Sequence, residues 1–324
     1  MREQKPKKIA IVKLSALGDI VHCVIILQFI KKHLPNSEIS WIVDKRFSQI
    51  LQNHPLIDRL LVLPLKDGKL KECAKVLRNA GDFDAVIDFQ GLLKSAIITK
   101  MLGKNSYGFN MQSTKEAVAG LFYRHKLNIG YNENIIIRNL SLAAFALDFS
   151  FTQDEILAKS PCFNVEILDE KRPQKRIIIA PFASEDSKCY DKFKDVINML
   201  KEYEIFITQG SQKELKNANE LALNTHAKVL EKLNLNELTQ KIANADLLIG
   251  NDSGITHIAW AVNVASITLF GNRPSRRNTY ITERNLVVDT GKQPDARSIN
   301  KNDFCIREIL PETIANFAKR LLRG

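Results

Sequence analysis

No stretch of this chain approaches the roughly eighteen uninterrupted apolar residues that a bilayer-crossing helix needs, so no span is expected. The five cysteines, Cys23, Cys73, Cys162, Cys189 and Cys305, are odd in number and widely spaced. Without a Cys-x-x-Cys pair they give no zinc ribbon and no disulfide framework, and they suit a reducing compartment. No His-x-x-x-His or His-Glu-x-x-His occurs. The one Asp-x-Asp pair, Asp82-Phe83-Asp84, precedes an expected strand, at the sheet end away from a ligand crevice, and reads as a solvated turn. Gly-x-Gly-x-x-Gly is missing, and so is the Gly-Lys-Ser/Thr of a P-loop, which excludes the two commonest nucleotide fingerprints. The basic start, Met1 to Lys8, resembles a signal peptide. Lys13 and Asp19 interrupt the apolar run that follows, and no small-residue cleavage site appears.

What remains is an ordinary globular balance over 324 residues, 45% hydrophobic and 26% charged, enough for two domains with full cores. The formal net charge of +11 favours anionic partners without choosing among them. The basic residues are scattered, with no arm or tail, which argues against bulk nucleic-acid binding. Apolar, often β-branched runs at 9–12, 39–43, 59–63, 85–89 and 106–109 alternate with helical patterns at 18–33, 47–53, 70–80 and 92–102. The pattern weakens over 111–132, and a helix is expected at 135–147. Polar, aperiodic sequence at 152–173 marks a boundary. Strands then follow at 176–180, 204–208, 227–230, 246–249 and 265–270, with helices at 192–202, 215–223, 235–243, 255–262 and 311–322. The expectation is α/β: two Rossmann-like lobes facing a central cleft, with a first domain at 1–160, a linker at 161–174 and a second domain at 175–324.

Four loops at strand ends could carry chemistry. Lys13-Leu14-Ser15-Ala16-Leu17-Gly18-Asp19 joins the first strand to the first helix. Ser15 and Gly18 suit a tight loop with exposed N–H groups. Asp19 is either a complement to the helix dipole or a catalytic or ligand group. Gly250-Asn251-Asp252-Ser253-Gly254-Ile255-Thr256-His257 holds the same position in the second half. Ser253 and Gly254 would leave free N–H groups at a helix start, a phosphate cradle. Asp252 would repel phosphate and is better suited to accept from ligand hydroxyls, a cap being the alternative. His257 lies near the same face as Ser253. In Ala183-Ser184-Glu185-Asp186-Ser187-Lys188, Ser184 can donate to a phosphate and Lys188 can neutralise one or contact ribose oxygens. In Gly210-Ser211-Gln212-Lys213-Glu214, the Glu214 carboxylate could hold ribose hydroxyls or simply cap a helix. Three of the four loops fall in the second half. That lobe is expected to hold a nucleotide diphosphate while the first supplies Asp19 across the cleft.

Three segments in order resemble the lipopolysaccharide inner-core heptosyltransferases, the ADP-heptose glycosyltransferase family, over nearly the whole chain. They are Lys13-Leu14-Ser15-Ala16-Leu17-Gly18-Asp19-Ile20-Val21-His22, Asp88-Phe89-Gln90-Gly91-Leu92-Leu93-Lys94-Ser95 and Asn251-Asp252-Ser253-Gly254-Ile255-Thr256-His257. The Lys-x-Ser-x-x-Gly-Asp start is similar to the members that act on the Kdo sugar of Kdo–lipid A. The resemblance implies a two-lobed glycosyltransferase B fold whose final helix can cross back to the first lobe. It implies inverting transfer of heptose from ADP-heptose, with no metal or other cofactor. It places the catalytic base at Asp19, donor ribose and phosphate contacts at Lys188 and Glu214, and a diphosphate-contacting hydroxyl at Ser184. Asp252 would bind heptose hydroxyls, Ser253 and Gly254 the diphosphate, and His257 would lie near the nucleotide. Two departures stand out. Ser253 replaces a frequent Thr, and Lys188-Cys189-Tyr190 replaces a frequent Lys-x-Trp, leaving a smaller aromatic for stacking on the donor.

For the acceptor, Ser15, Gly18, Gln90, Lys94 and Arg124 are candidate contacts. Lys94, Lys100, Lys104, Lys115, Arg124 and Lys126, mixed with Phe109, Leu121 and Phe122, would suit an anionic acceptor and a shallow membrane approach, the alternative being an ordinary solvated surface. The expected protein is a monomer that binds no nucleic acid, cytoplasmic and peripheral on the inner membrane. The rivals are the second heptosyltransferase or another nucleotide-sugar transferase, a sugar-nucleotide epimerase, and a non-catalytic nucleotide- or nucleic-acid-binding protein.

Overall fold

The computed structural model describes residues 7–169, 172–292 and 294–323. The basic start at 1–6 and two residues of the expected linker lie outside the described residues. The chain divides into two compact units, 1–164 and 165–324.

The first unit is built on a parallel sheet of β1 (Lys8–Val12), β2 (Glu38–Asp44), β3 (Arg59–Leu63), β4 (Ala85–Asp88), β5 (Ser106–Phe109) and β6 (His125–Leu127), in the order β3-β2-β1-β4-β5-β6. Its helices are α1 (Leu17–Val24), α2 (Ile26–His33), α3 (Leu70–Arg78), α4 (Leu93–Leu102), α5 (Ile135–Leu147) and α6 (Gln153–Leu157). Ile9 to Val12 are wholly buried because β1 is central, and Ile11 lies opposite both Trp41 and Ile87. The helix expected over 18–33 is divided at Ile25. Residues 20–27 are buried throughout, so their pattern carries no sign of the break. The expected helix at 47–53 is a 3-10 helix, Lys45–Leu51, whose start is capped by Asp44 accepting from the Arg46 amide. A second 3-10 helix spans Ala117–Leu121, and the short edge strand β6 was not expected.

The second unit repeats the plan. Its parallel sheet comprises β7 (Arg176–Ala180), β8 (Glu204–Ile207), β9 (Lys228–Val229), β10 (Leu247–Asn251), β11 (Ala265–Phe270) and β12 (Asn285–Asp289), in the order β12-β11-β10-β7-β8-β9. The helices are α7 (Phe193–Met199), α8 (Gln212–Ala222), α9 (Leu235–Ala243), α10 (Gly254–Ala261), α11 (Ser275–Asn278) and α12 (Pro311–Arg323). Asn234 starts α9 by accepting from the Asn236 and Glu237 amides. Of the two paths open to the final helix, packing on its own lobe or crossing to the first, α12 takes up core contacts within its own unit. Ile314, Ala315, Ala318 and Leu322 join one core with Phe193, Ile197, Ile267 and Leu269. Burying a side chain such as Ile314 or Leu322 is worth about 1.5–3 kcal/mol, enough to hold the helix there.

In each sheet the first strand of the unit sits in the middle, flanked by the second strand on one side and the fourth on the other. Chain direction across the sheet reverses at that point, so the loops leaving the two flanking carboxyl ends diverge and open a crevice. In the first unit the crevice lies between β1 and β4, in the second between β7 and β10. Gly250 permits the second junction, because a Cβ there would stand 2.8 Å from the Ala180 carbonyl oxygen and 2.5 Å from Thr256 Oγ1.

Candidate active-site loops

In the first unit, the loop after β1 is fixed from the loop after β4. The amides of Leu14 and Ser15 donate to Gln90 Oε1, at 3.2 and 3.1 Å. Gln90 is itself set by Asp88, a fully buried carboxylate. Asp88 Oδ1 accepts from the Gln90 and Gly91 amides (2.8 and 3.1 Å), and Oδ2 accepts from the Tyr123 hydroxyl at 2.7 Å. Burial raises the Asp88 pKa despite these bonds. Lys13, also buried, donates to the Phe89 carbonyl at 3.0 Å and ties the same two strands. Gly18 and Asp19 lie half-buried in the first turn of α1, where Asp19 Oδ2 accepts from the Ala16 amide at 3.2 Å. Asp19 thus closes the helix start, and it lies at the carboxyl end of β1.

Beside this loop a pocket of about 300 Å³ is lined by Ser15, Gln90, Lys94, Asp44, Arg46 and Lys66, among others. Ser15, Gln90 and Lys94 thus line one pocket, and Gly18 does not. Asp44, Arg46 and Lys66 were not foreseen. Arg46 grips Asp44 with two nitrogens, at 3.0 and 2.9 Å. Burial pushes the Asp44 pKa up, but the hydrogen bonds and charge of Arg46 outweigh it and hold the carboxyl below its ordinary range. Arg124 is placed elsewhere. Its neighbour His125 pairs with Tyr107 at the start of β5, so Arg124 stands at the amino end of the sheet, opposite the pocket loops. The signal that misled was proximity in sequence to an irregular stretch; strand register decides it. Phe109 is also corrected, being buried under the Arg138 guanidinium, 4.5 Å from the ring centroid. Phe122 is half-buried against Ala119 and Tyr123.

In the second unit, the loops after β7 and β10 meet in an ion pair. Lys188 Nζ lies 2.8 Å from Asp252 Oδ2, and His257 Nε2 lies 3.0 Å from Asp252 Oδ1. Burial pushes the Asp252 pKa up, but the charges and hydrogen bonds of Lys188 and His257 dominate and hold it far below the usual carboxylate range. Asn251, which the motif contained without a role, cross-links the same loops. It donates to the Pro181 carbonyl (2.7 Å) and accepts from the Tyr190 amide (3.1 Å). Ser253 is the N-cap residue of α10, makes no side-chain cap bond, and lies 3.2 Å from Thr256 Oγ1. Ser253 and Gly254 are half-buried at that helix start, where backbone amides and the helix dipole favour an anion.

Alongside, a pocket of about 540 Å³ is lined by Ser184, Ser211, Lys213, Glu214, Tyr190 and Arg307, among others. Glu214 Oε2 accepts from the Gly210 amide at 2.7 Å and thereby shapes the turn after β8. Tyr190 departs from the stacking role. Its ring is buried, packed edge-on to Phe193 with centroids 5.3 Å apart, and its hydroxyl donates to the Ile309 carbonyl at 2.9 Å. It is a wall, with no face open for a base. The β7, β8 and β10 loops belong to three adjacent strands, which is why three separated sequence motifs share one end of the sheet. Among the described residues, no group of three His, Cys, Asp or Glu side chains stands close enough to hold a metal ion.

The family model for glycosyltransferase family 9 (heptosyltransferase) matches residues 71–304. Lipopolysaccharide heptosyltransferase 1 of Campylobacter coli is 42% identical, over 97% of this chain and 98% of that protein. Among solved structures, E. coli heptosyltransferase WaaC with ADP matches with a TM-score of 0.76 at 22% identity, covering 98% of both chains. A glycosyltransferase family 9 protein from Veillonella parvula matches with a TM-score of 0.82 at 18% identity, covering 99% of this chain and 98% of that one. These two structural matches bear on the fold, which is the α/β glycosyltransferase B type expected.

Proposed function

The chain belongs to glycosyltransferase family 9, the heptosyltransferases, and from that premise we propose that it transfers L-glycero-D-manno-heptose from ADP-heptose to a Kdo residue of Kdo–lipid A, inverting the anomeric centre. The observation that carries this reading is the near-full-length match to the C. coli enzyme. The geometry supports a division of labour between the units.

In the second unit, the donor diphosphate rests on the amides at the start of α10, with Ser184, Ser253 and Lys188 meeting its charge. Asp252 is kept ionised by Lys188 and His257, and its remaining lone pairs accept from heptose hydroxyls. Glu214 accepts from the ribose, and His257 lies beside the nucleotide. In the first unit, Ser15, Gly18, Gln90 and Lys94 receive the acceptor; Arg124, at the far end of the sheet, is left out. An acceptor hydroxyl oxygen attacks the anomeric carbon while Asp19 takes its proton. The bond from that carbon to the diphosphate oxygen breaks, and ADP departs with the electron pair. Helix amides and Lys188 stabilise the leaving charge, so the reading assigns no metal to the step. The acceptor is lipid-anchored, which places the enzyme at the cytoplasmic face of the inner membrane. No described helix is long and apolar enough to cross a membrane.

The test is incubation with ADP-heptose and Kdo–lipid A in excess chelator, with ADP and heptosylated lipid followed by mass spectrometry. Equal formation of both supports the reading. ADP release without glycolipid, or dependence on added metal, overturns it. Asp19→Asn is expected to lower turnover by about 10²–10⁴-fold while ADP binding holds.

A further inference from the structure

The outer face of α4 is apolar where a helix on a solvated surface should be polar. Leu93, Ile97 and Met101 are spaced four residues apart and so form one stripe. They are 39%, 44% and 50% exposed. The opposite face of the helix, with Ala96, Ile98, Thr99 and Leu102, is buried, so the stripe is not a displaced core face. The 3-10 helix Ala117–Leu121 packs beside it through Ala96 and Ala119. It turns Val118 and Leu121 outward, 53% and 59% exposed. The Leu93 amide donates to Glu116 Oε2 at 2.7 Å, which fixes the two elements together at their starts. Five aliphatic side chains therefore stand exposed on two joined helices of one unit.

Charge says what covers them. Residues 93–126 contain Lys94, Lys100, Lys104, Lys115, Arg124 and Lys126 against one acid, Glu116, whose carboxylate serves the Leu93 amide. Lys94 and Lys100 flank the apolar stripe on either side, and Lys104 and Lys115 are exposed near its borders. An aliphatic strip rimmed by lysines matches an anionic bilayer surface, with apolar side chains reaching the acyl boundary and ammonium groups among the phosphates. The strip also adjoins the pocket, because Lys94 and Glu116 line it. We propose that α4 and the 3-10 helix Ala117–Leu121 form the surface that docks on anionic phospholipid, holding the mouth of the acceptor pocket at the headgroup layer. The proposal rests on the acceptor reading above for its purpose, and on exposed side chains and charge for its location.

The test is co-sedimentation of the full chain with vesicles of phosphatidylcholine plus phosphatidylglycerol, and with phosphatidylcholine alone, without donor or acceptor. The wild-type chain should bind the mixed vesicles and release in high salt. Lys100→Ala with Lys104→Ala should weaken that binding by about 30-fold. Ile97→Ser, Met101→Ser and Leu121→Ser together should weaken it by at least about tenfold with little added salt sensitivity. All five residues are exposed, so thermal unfolding should be unchanged. Both variants should still glycosylate a detergent-solubilised acceptor and lose turnover on acceptor embedded in vesicles. No binding of the wild type, or binding indifferent to both variants, overturns the surface. Failure of transfer with intact, variant-sensitive vesicle binding overturns the enzymatic reading and leaves the surface standing.

Discussion

Consider Lys188→Met, which keeps an unbranched stem and removes the charge. Lys188 Nζ and Asp252 Oδ2 are 2.8 Å apart, with side chains 16% and 8% exposed. At an effective dielectric of about 20 their gross attraction is about 6 kcal/mol. Much of that is offset by desolvation, yet removing one partner of such a pair typically leaves a deficit of about 3–5 kcal/mol. His257, 3.0 Å from the other oxygen, remains as a hydrogen-bonding partner of the carboxylate and lowers the deficit to about 2–3 kcal/mol. For a unit of this size that is a fall in Tm of about 5–10 °C. The sign of the pH dependence follows. In the wild type Asp252 is held low, so its contribution is present above the unfolded carboxylate pKa of about 3.9 and lost as pH falls through the depressed value. In the variant, burial is no longer outweighed and the carboxyl titrates higher. The deficit should be largest near neutral pH and shrink with acid, as the stranded carboxylate is protonated. With Trp41→Phe as background in every chain, Trp260 is the one remaining indole and reports the second unit. Combining Lys188→Met with Asp252→Asn should recover most of the stability without recovering donor affinity. A Tm loss below about 2 °C near neutral pH, or a deficit that grows in acid, refutes the reasoning.

Gly250→Ala should destabilise the second unit by about 1–3 kcal/mol, since its Cβ meets the Ala180 backbone, and chemical denaturation measures it. Gln90→Ala deprives the Leu14 and Ser15 amides of their acceptor and should lower kcat by about tenfold with a smaller change in donor KM; Gln90→Glu, which keeps an acceptor, should restore part of it. Buried His54 accepts from the Leu56 amide at Nδ1 (3.2 Å), so Nε2 carries the proton toward the Cys162 carbonyl (2.8 Å). Burial holds its pKa below the usual value, so the unfolded chain protonates first. Stability should fall as pH drops below about 6.5 and stay level above it. Tm against pH should lose that slope in His54→Gln.

The central strands were legible because their apolar runs are buried on both faces; residues 265–270 were expected as a strand and β11 is Ala265–Phe270. The helix at 235–243 was equally legible, because Asn234 caps it through backbone amides. Of the four edge strands, β3 and β9 were expected, but β6 and β12 were not. β6 is His-Lys-Leu and β12 lies at the opposite extreme of its sheet, and neither carries a fully apolar run. The site loops could be placed from their positions after strands, but their mutual dependence could not. Asn251 acts on Tyr190 and Pro181, and Gln90 on Leu14 and Ser15, across strands that only topology brings together. Arg124 failed for the same reason, since strand register decides which end of a sheet a residue occupies. Tyr190 kept the spacing of a stacking aromatic but spends its ring on the core.

The place of the first strand at the middle of each sheet has a consequence for synthesis. A ribosome delivers residues 14 and 15 long before Gln90, and Lys188 long before Asp252. Each crevice is left without its second wall until the fourth strand of its unit has emerged and paired. The first unit can finish its crevice while most of the second is still unwritten, so the nascent chain gains its two halves of chemistry one after the other.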